Sequence, residues 1–178
     1  EALKPELCRR LNLSPISAHL LLLRHISSEE EARRFLFGGL QDLPNPFLLP
    51  EMEEAVETLL RAGIGRKKIL FFGDYDVDGI TGTAASSSFH RELGIPTRSL
   101  LPHRLQDGYG LTRESLKKIE AEKPDLVVTI DNGTNAREEI AYLKEKGIET
   151  VVIDHHETPT ERERPPARAI VNPKNPSS

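Results

Sequence analysis

Tryptophan is absent from the 178-residue chain, and cysteine and methionine occur once each. The lone Cys8 excludes an internal disulfide and fits a reducing, cytoplasmic setting. No apolar run approaches the roughly 18 residues of a membrane helix. Leu20 to Leu23 is too short for a signal peptide and lies among helix formers. Basic charge is also lacking, since 24 Lys and Arg face 28 Asp and Glu for a net charge of −4, which gives no electrostatic signature of nucleic-acid binding. Much of that negative charge lies on helix faces and in one acidic stretch. Apolar content of 37% is low but sufficient for a core, and 29% charged residues suit a soluble protein. The length fits one domain with an added helical segment. The sequence shows no internal repeat and no low-complexity tract. It starts on Glu rather than Met, so residues that precede it in the reading frame are expected.

What is present is organised around Ile69-Leu-Phe-Phe-Gly-Asp-Tyr-Asp-Val-Asp-Gly-Ile-Thr-Gly82. Ile69 to Phe72 reads as a short buried strand that Gly73 ends. Asp74, Asp76 and Asp78 follow at alternate positions, and alternate side chains of an extended chain point the same way. Three carboxylates converging on a small volume repel one another unless protons or cations neutralise them. Oxygen-rich sites suit Mg²⁺, Mn²⁺ or Ca²⁺. An EF-hand begins with the same spacing, but it needs Glu at the twelfth position, where this chain has Ala85, and a helix rather than a strand before it.

Residues 1–65 read as a helical N-terminal segment. Leu7, Leu11 and Leu13, then Leu20 to Leu23, are broken by Asn12 to Pro15 into two short helices. Ser28 to Glu31 fits a capping box, and Gly38-Gly39 stops the helix that follows. Pro44, Pro46 and Pro50 make an irregular connection before a helix from Met52 to Ala62. From residue 66 to 178 the pattern alternates strand and helix. Strands are expected at 69–72, 97–101, 126–130 and 150–153, with a short fifth at 169–171; helices are expected at 80–93, 112–122 and 136–146. The near-continuous apolar runs Leu126 to Ile130 and Val151 to Ile153 argue for strands buried on both faces. The fold class is therefore α/β, a parallel sheet with flanking helices and right-handed crossovers, preceded by the helical segment.

In such sheets ligands bind beyond the carboxyl ends of the strands. The first strand ends in Asp74, Asp76 and Asp78; the third in Asp131, Asn132 and Gly133; the fourth in Asp154-His155-His156-Glu157. An Asp after a strand is commonly a helix cap and a His pair commonly structural, but their joint placement at one rim points to a shared metal site. Mixed carboxylate and imidazole ligands favour Mn²⁺, with Mg²⁺ next and Zn²⁺ disfavoured without thiolates. Several carboxylates could hold two ions about 4 Å apart, an arrangement suited to phosphoester hydrolysis. His19, His25 and His90 lack such company and read as structural. After the second strand, Pro102 to Leu111 brings Arg104, Gly108 and Tyr109 to the same rim. Arg offers a planar fork for phosphate, glycine permits close backbone approach, and tyrosine can stack on a base or sugar.

Asp-Tyr-Asp-Val-Asp-Gly, Arg-Leu-Gln-Asp-Gly-Tyr-Gly-Leu, Ile-Asp-Asn-Gly and Asp-His-His-Glu, in this order, resemble the successive motifs of the DHH phosphoesterase superfamily. Within it the chain is similar to bacterial exonucleases specific for single-stranded DNA. The likeness covers nearly the whole chain, including the Leu-Pro-Asn-Pro connection and Asn172-Pro-Lys-Asn-Pro176. It implies Asp74, Asp76, Asp78, Asp131 and His155 as ligands of Mn²⁺ or Mg²⁺, with Asp131 and His156 catalytic and His156 against the scissile phosphate. Arg104, Gly108, Tyr109, Asn132 and Gly133 would face substrate. The implied activity is 5′ to 3′ degradation of single-stranded DNA to nucleoside 5′-monophosphates in repair and recombination, with a single-strand-binding protein and a helicase as partners. Asp107 departs from the family, which usually has Glu there. The family's further Asp ligand and second domain are expected beyond Ser178, so the chain reads as the N-terminal part of a larger enzyme, weakly active or inactive alone. Two other readings share the fold: a hydrolase of short oligonucleotides, cyclic dinucleotides or polyphosphate, and a non-catalytic replication scaffold. The helical lead-in argues against the first, and retention of every expected ligand argues against the second.

Overall fold

The structure, a computed structural model, describes residues 3–104, 107–158 and 163–175. Leu105, Gln106 and Pro176 of the motifs above, and residues 159–162 of the loop after the fourth strand, lie outside the described residues. The chain forms two compact units, Glu1–Asn45 and Pro46–Ser178.

The first unit holds three helices, α1 (Leu3–Leu11), α2 (Pro15–Leu23) and α3 (Glu29–Phe37). Ser14 caps α2 with Pro15 in its first turn, and Ser28 with Glu31 forms the expected capping box of α3. Leu7, Leu11, Ala18, Leu21 and Ala32 are its buried core.

The second unit continues with α4 (Met52–Ile64), β1 (Ile69–Gly73), α5 (Val77–Glu92), β2 (Thr97–Leu100) and α6 (Arg113–Glu122). It then runs through β3 (Leu126–Ile130), α7 (Arg137–Glu145), β4 (Glu149–Ile153) and β5 (Ala169–Val171). The strands make one sheet in the order β2-β1-β3-β4-β5, every neighbouring pair parallel. Successive side chains serve opposite faces. Ile69, Phe71, Val128 and Val151 pack with Ala55 and Ala62 of α4, whereas Leu70, Phe72, Val127 and Val152 pack with Leu116, Ile119, Ile140 and Leu143 of α6 and α7. Two buried faces explain the continuous apolar runs.

Helix α5 begins three residues earlier than the sequence pattern indicates. The Asp76 carboxylate accepts the Gly79 N–H at 3.2 Å and so starts the helix at Val77. Its inward face is Gly79, Thr83 and Ser87, small residues that bring the helix close to the sheet. A Cβ on Gly79 would lie 2.4 Å from the Asp74 backbone nitrogen, so only glycine fits that contact.

Register fixes the site. Gly73, Ile130, Ile153 and Val171 lie side by side across β1, β3, β4 and β5. The next residue of each strand is polar: Asp74, Asp131, Asp154 and Asn172, all buried. The ladder carries into this row, with Asp74 N–H donating to Ile130 O (3.2 Å), Asp131 N–H to Ile153 O (2.8 Å) and Asp154 N–H to Val171 O (3.0 Å). Beyond β1 the chain crosses to β2 on one side and then returns to β3 on the other, so Asp74 and Asp131 flank the switch point where such sheets open a crevice. No helix among the described residues is long and apolar enough to cross a membrane.

Candidate metal centre

Two clusters of ligand atoms form at this rim. Asp74, Asp76 and Asp131 make one and Asp131, His155 and His156 the other; within each cluster the ligand atoms lie within 4.8 Å of one another. Asp131 belongs to both. It adopts the left-handed backbone conformation, φ 62°, immediately past β3, a strained geometry that tends to cluster at functional positions. Burial pushes its carboxyl up from the ordinary range, and the neighbouring Asp76 carboxylate adds to this. Burial likewise raises Asp74, against the partial relief of the Tyr75 N–H. Asp76 moves the other way, held down chiefly by the Gly79 N–H. The result is one easily ionised carboxylate among groups that ionise with difficulty unless a cation joins them.

Asp74 Oδ1 and Asp131 Oδ1 are buried and have no hydrogen-bond partner among the described residues. Asp131 Oδ1 lies 2.9 Å from His155 Nε2, yet it is not aligned with it as a hydrogen bond. Buried carboxylate oxygens are costly without a partner. Two such oxygens, with a third carboxylate and an imidazole nitrogen converging on them, fit a divalent cation with mixed oxygen and nitrogen ligands. Asp78 stands apart. It lies in the first turn of α5, exposed, with Oδ2 4.0 Å from His155 Nε2 and outside both clusters. The alternation that would align it with Asp74 and Asp76 ends where α5 begins.

The loop after β4 is built around Asp154. One oxygen, Oδ1, accepts the backbone N–H of His155 (2.7 Å) and of His156 (3.2 Å) and faces His156 Nδ1 at 2.6 Å. The other accepts the Thr134 N–H at 3.0 Å. Burial is the largest single influence on this carboxyl and pulls its pKa up, but the Thr134 and His156 hydrogen bonds together bring it below the ordinary value. Asp154 is therefore ionised and holds the proton of His156 on Nδ1. His156 in turn is raised, mainly by the hydrogen bond to Asp154. Asn172 locks the loop from behind by donating to Thr134 Oγ1 (3.1 Å) and His156 O (3.0 Å).

The glycine loop reaches the same place. Tyr109 Oη stands 2.9 Å from His156 Nε2. Burial, then the Asp74 carboxylate, pushes the Tyr109 phenol up to about 12, so it keeps its proton. Gly108 and Gly110 have φ of 80° and 64° and give the loop its turn. The buried Asp107 ties it down, accepting the His103 N–H at 2.7 Å and receiving Lys118 Nζ of α6 at 2.7 and 2.6 Å. Arg104 places its guanidinium 5.4 Å from the centre of the Tyr75 ring. Asn132 acts inside the sheet, donating to Ile130 O (2.9 Å) and Phe72 O (3.3 Å). Gly133, φ 107°, leaves no room for a side chain, since a Cβ would lie 2.5 Å from Thr129 Oγ1. Sequence reasoning did not single out Asp154, Thr134 or Lys118 for the site. Asp154 was marked only by its place in the Asp-His-His run, and Thr134 and Lys118 carry no local signal.

A parallel α/β sheet with carboxylates and imidazoles gathered at its switch point makes a rim that could hold divalent cations. The chain belongs to the DHH family: the family's N-terminal domain matches residues 68–178. It is 34% identical over 170 residues to the single-stranded-DNA-specific exonuclease RecJ of Bacillus subtilis, a match covering 96% of this chain and 21% of that protein. It is 39% identical over 160 residues to RecJ of Haemophilus influenzae, covering 89% of this chain and 27% of that one. The chain thus spans about a quarter or less of the length of these relatives. A crystal structure of RecJ bound to manganese is similar at 36% identity and a TM-score of 0.66, over 75% of this chain and 32% of that one. RecJ of Thermus thermophilus in complex with Mn²⁺ is similar at 28% identity and a TM-score of 0.68, over 97% of this chain and 23% of that one.

Proposed function

We propose that this chain carries the metal-binding part of a single-stranded-DNA exonuclease, one that hydrolyses phosphodiesters from the 5′ end and releases nucleoside 5′-monophosphates in the cytoplasm. The observation that carries the reading is Asp131, shared by two ligand clusters and bearing a buried oxygen without a hydrogen-bond partner. The similarity to RecJ, including its manganese-bound form, supports the choice of substrate and of Mn²⁺ or Mg²⁺. Asp74, Asp76 and Asp131 would hold one ion and Asp131 with His155 a second, with Asp78 near enough to His155 to join through a small movement. Bound there, the ions would supply an activated water and stabilise the charge that develops on phosphate and leaving oxygen.

The chain's own residues do the rest. Asp154 fixes the His156 ring by its Nδ1 side, which leaves Nε2 facing the rim where Tyr109 Oη now lies. Asp154 also raises the His156 pKa, so the ring can take a second proton on Nε2 and, as the imidazolium, donate a hydrogen bond to a phosphate oxygen in exchange for its contact with the phenol. Gly108 and Gly110 supply the left-handed turns that bring Tyr109 to the rim, and Gly133 lets the chain after Asp131 pack on Thr129. Arg104, on the same loop, offers its guanidinium to a neighbouring phosphate on leaving Tyr75. The test is Mn²⁺-dependent release of mononucleotides from 5′-phosphorylated single strands by the chain extended to the length of its relatives. Short dinucleotides serve as the competing substrate. Preference for long strands, lost in Asp131→Asn, is expected; equal or greater turnover of dinucleotides would sink the exonuclease reading.

A further inference from the structure

A cavity of about 280 Å³ lies between the glycine loop and the start of α7, and none of Asp74, Asp76, Asp78, Asp131 and His155 lines it. Its walls differ in chemistry from the metal rim. Leu111 and Ala136 are apolar, Tyr109 is aromatic, and Asn135 and Glu139 are polar, while neither Lys nor Arg lines it. His156 and Asp154 also line it. Away from His156 and Asp154, walls that carry the Glu139 carboxylate and neither Lys nor Arg disfavour phosphate. The cavity suits an uncharged group that is flat enough to lie between aliphatic and aromatic walls and offers hydrogen-bond donors. Glu139 makes no hydrogen bond or ion pair with any described residue, so its acceptor oxygens are free.

We propose that this cavity is a nucleoside subsite that seats the base of the nucleotide whose phosphate lies at His156, with Glu139 accepting an N–H of the base. The proposal rests on the phosphodiesterase reading above, because a phosphodiester held at His156 must send one of its two arms past the imidazole. The acidic character limits the site to a single nucleoside. Any second phosphate on that nucleotide, whether the next link of the strand or a terminal 5′-phosphate, must lie outside the cavity and away from Glu139. Glu139 favours bases with an exocyclic amino group, the donor a carboxylate reads in cytosine.

The test uses deoxycytidine, which is uncharged and needs no metal, titrated into the ¹⁵N-labelled chain and followed by amide shifts. Deoxycytidine should perturb Leu111, Asn135 and Ala136, and inorganic phosphate should leave these three amides unmoved. Ala136→Leu fills the cavity and should abolish the response. Glu139→Gln should weaken binding roughly tenfold, as expected when a charge-assisted hydrogen bond is lost. No response from these amides, or a stronger one to phosphate than to deoxycytidine, overturns the subsite. Adding Mn²⁺ to the same samples reads the underlying proposal separately, through paramagnetic broadening around Asp131 and His155. Broadening without a deoxycytidine response rejects the subsite alone, and a deoxycytidine response without broadening supports the subsite while rejecting the metal reading.

Discussion

Asp154 Oδ1 faces His156 Nδ1 at 2.6 Å while the same carboxylate accepts three backbone N–H groups, from Thr134, His155 and His156. Through these contacts one buried acid shapes the loop and chooses the face that His156 turns to the rim. Asp154→Ala should cost about 3 kcal/mol, because it removes a charged acceptor and leaves several buried donors without one. It should also release the His156 tautomer. Imidazole ¹⁵N shifts should place the proton on Nδ1 in the parent chain and show it moving to Nε2 in Asp154→Ala. Unchanged shifts would mean that Asp154 is structural only.

Lys118 and Asp107 hold the Tyr109 loop, and their linkage to pH has a definite sign. The Lys118 hydrogen bond, followed by that of the His103 N–H, holds the Asp107 carboxyl below its ordinary value. A depressed carboxyl stabilises the fold above its unfolded pKa of about 4 and loses that contribution as pH falls through its folded value. Lys118→Met should therefore be less stable than the parent at pH 7, and the gap should narrow as pH drops below about 4. Urea unfolding across pH 3–7 tests this; a gap independent of pH would assign the loss to packing of the lysine stem.

Two glycines of unlike surroundings should respond differently to alanine. At Gly79 a Cβ would meet the Asp74 backbone at 2.4 Å, so Gly79→Ala must push α5 off the sheet and shift Asp74 with it. A loss of about 1–3 kcal/mol follows from overpacking, with weaker Mn²⁺ binding. At Gly94 nothing lies within 4 Å of the added carbon, and only the φ of 71° resists. Gly94→Ala should cost about 1–2 kcal/mol and leave Mn²⁺ affinity alone. Calorimetry on both variants decides whether the α5 contact tunes the rim.

The sheet was readable because its central strands are buried on both faces, so Leu126 to Ile130 and Val151 to Ile153 appear as unbroken apolar runs. The start of α5 was not, because Asp76 was read for its charge and not as a helix cap, and because the inward face of that helix is Gly79, Thr83 and Ser87. No hydrophobic period marks such a face. The expected ligand set was Asp74, Asp76, Asp78, Asp131 and His155; the two clusters hold four of these and leave Asp78 outside. Their separation into two groups joined at Asp131 depends on the turn of α5 and on the left-handed backbone of Asp131, which side-chain alternation does not encode. The roles of Lys118 and Asn172 needed the tertiary fold. Lys118 reaches Asp107 from the second turn of α6, and Asn172 reaches Thr134 and His156 only through the register of β4 with β5.

The central claim is that Asp131 is shared between two metal positions, and calorimetric titration of Mn²⁺ into the chain and into Asp131→Ala and Asp76→Ala tests it most directly. Asp131→Ala should abolish binding altogether, while the metal-free protein remains folded and no less stable, since a buried carboxyl that ionises with difficulty has been removed. Asp76→Ala should lose the cluster with Asp74 and keep weak binding at Asp131 and His155. Mn²⁺ affinity in Asp131→Ala equal to that of the parent chain would contradict the account.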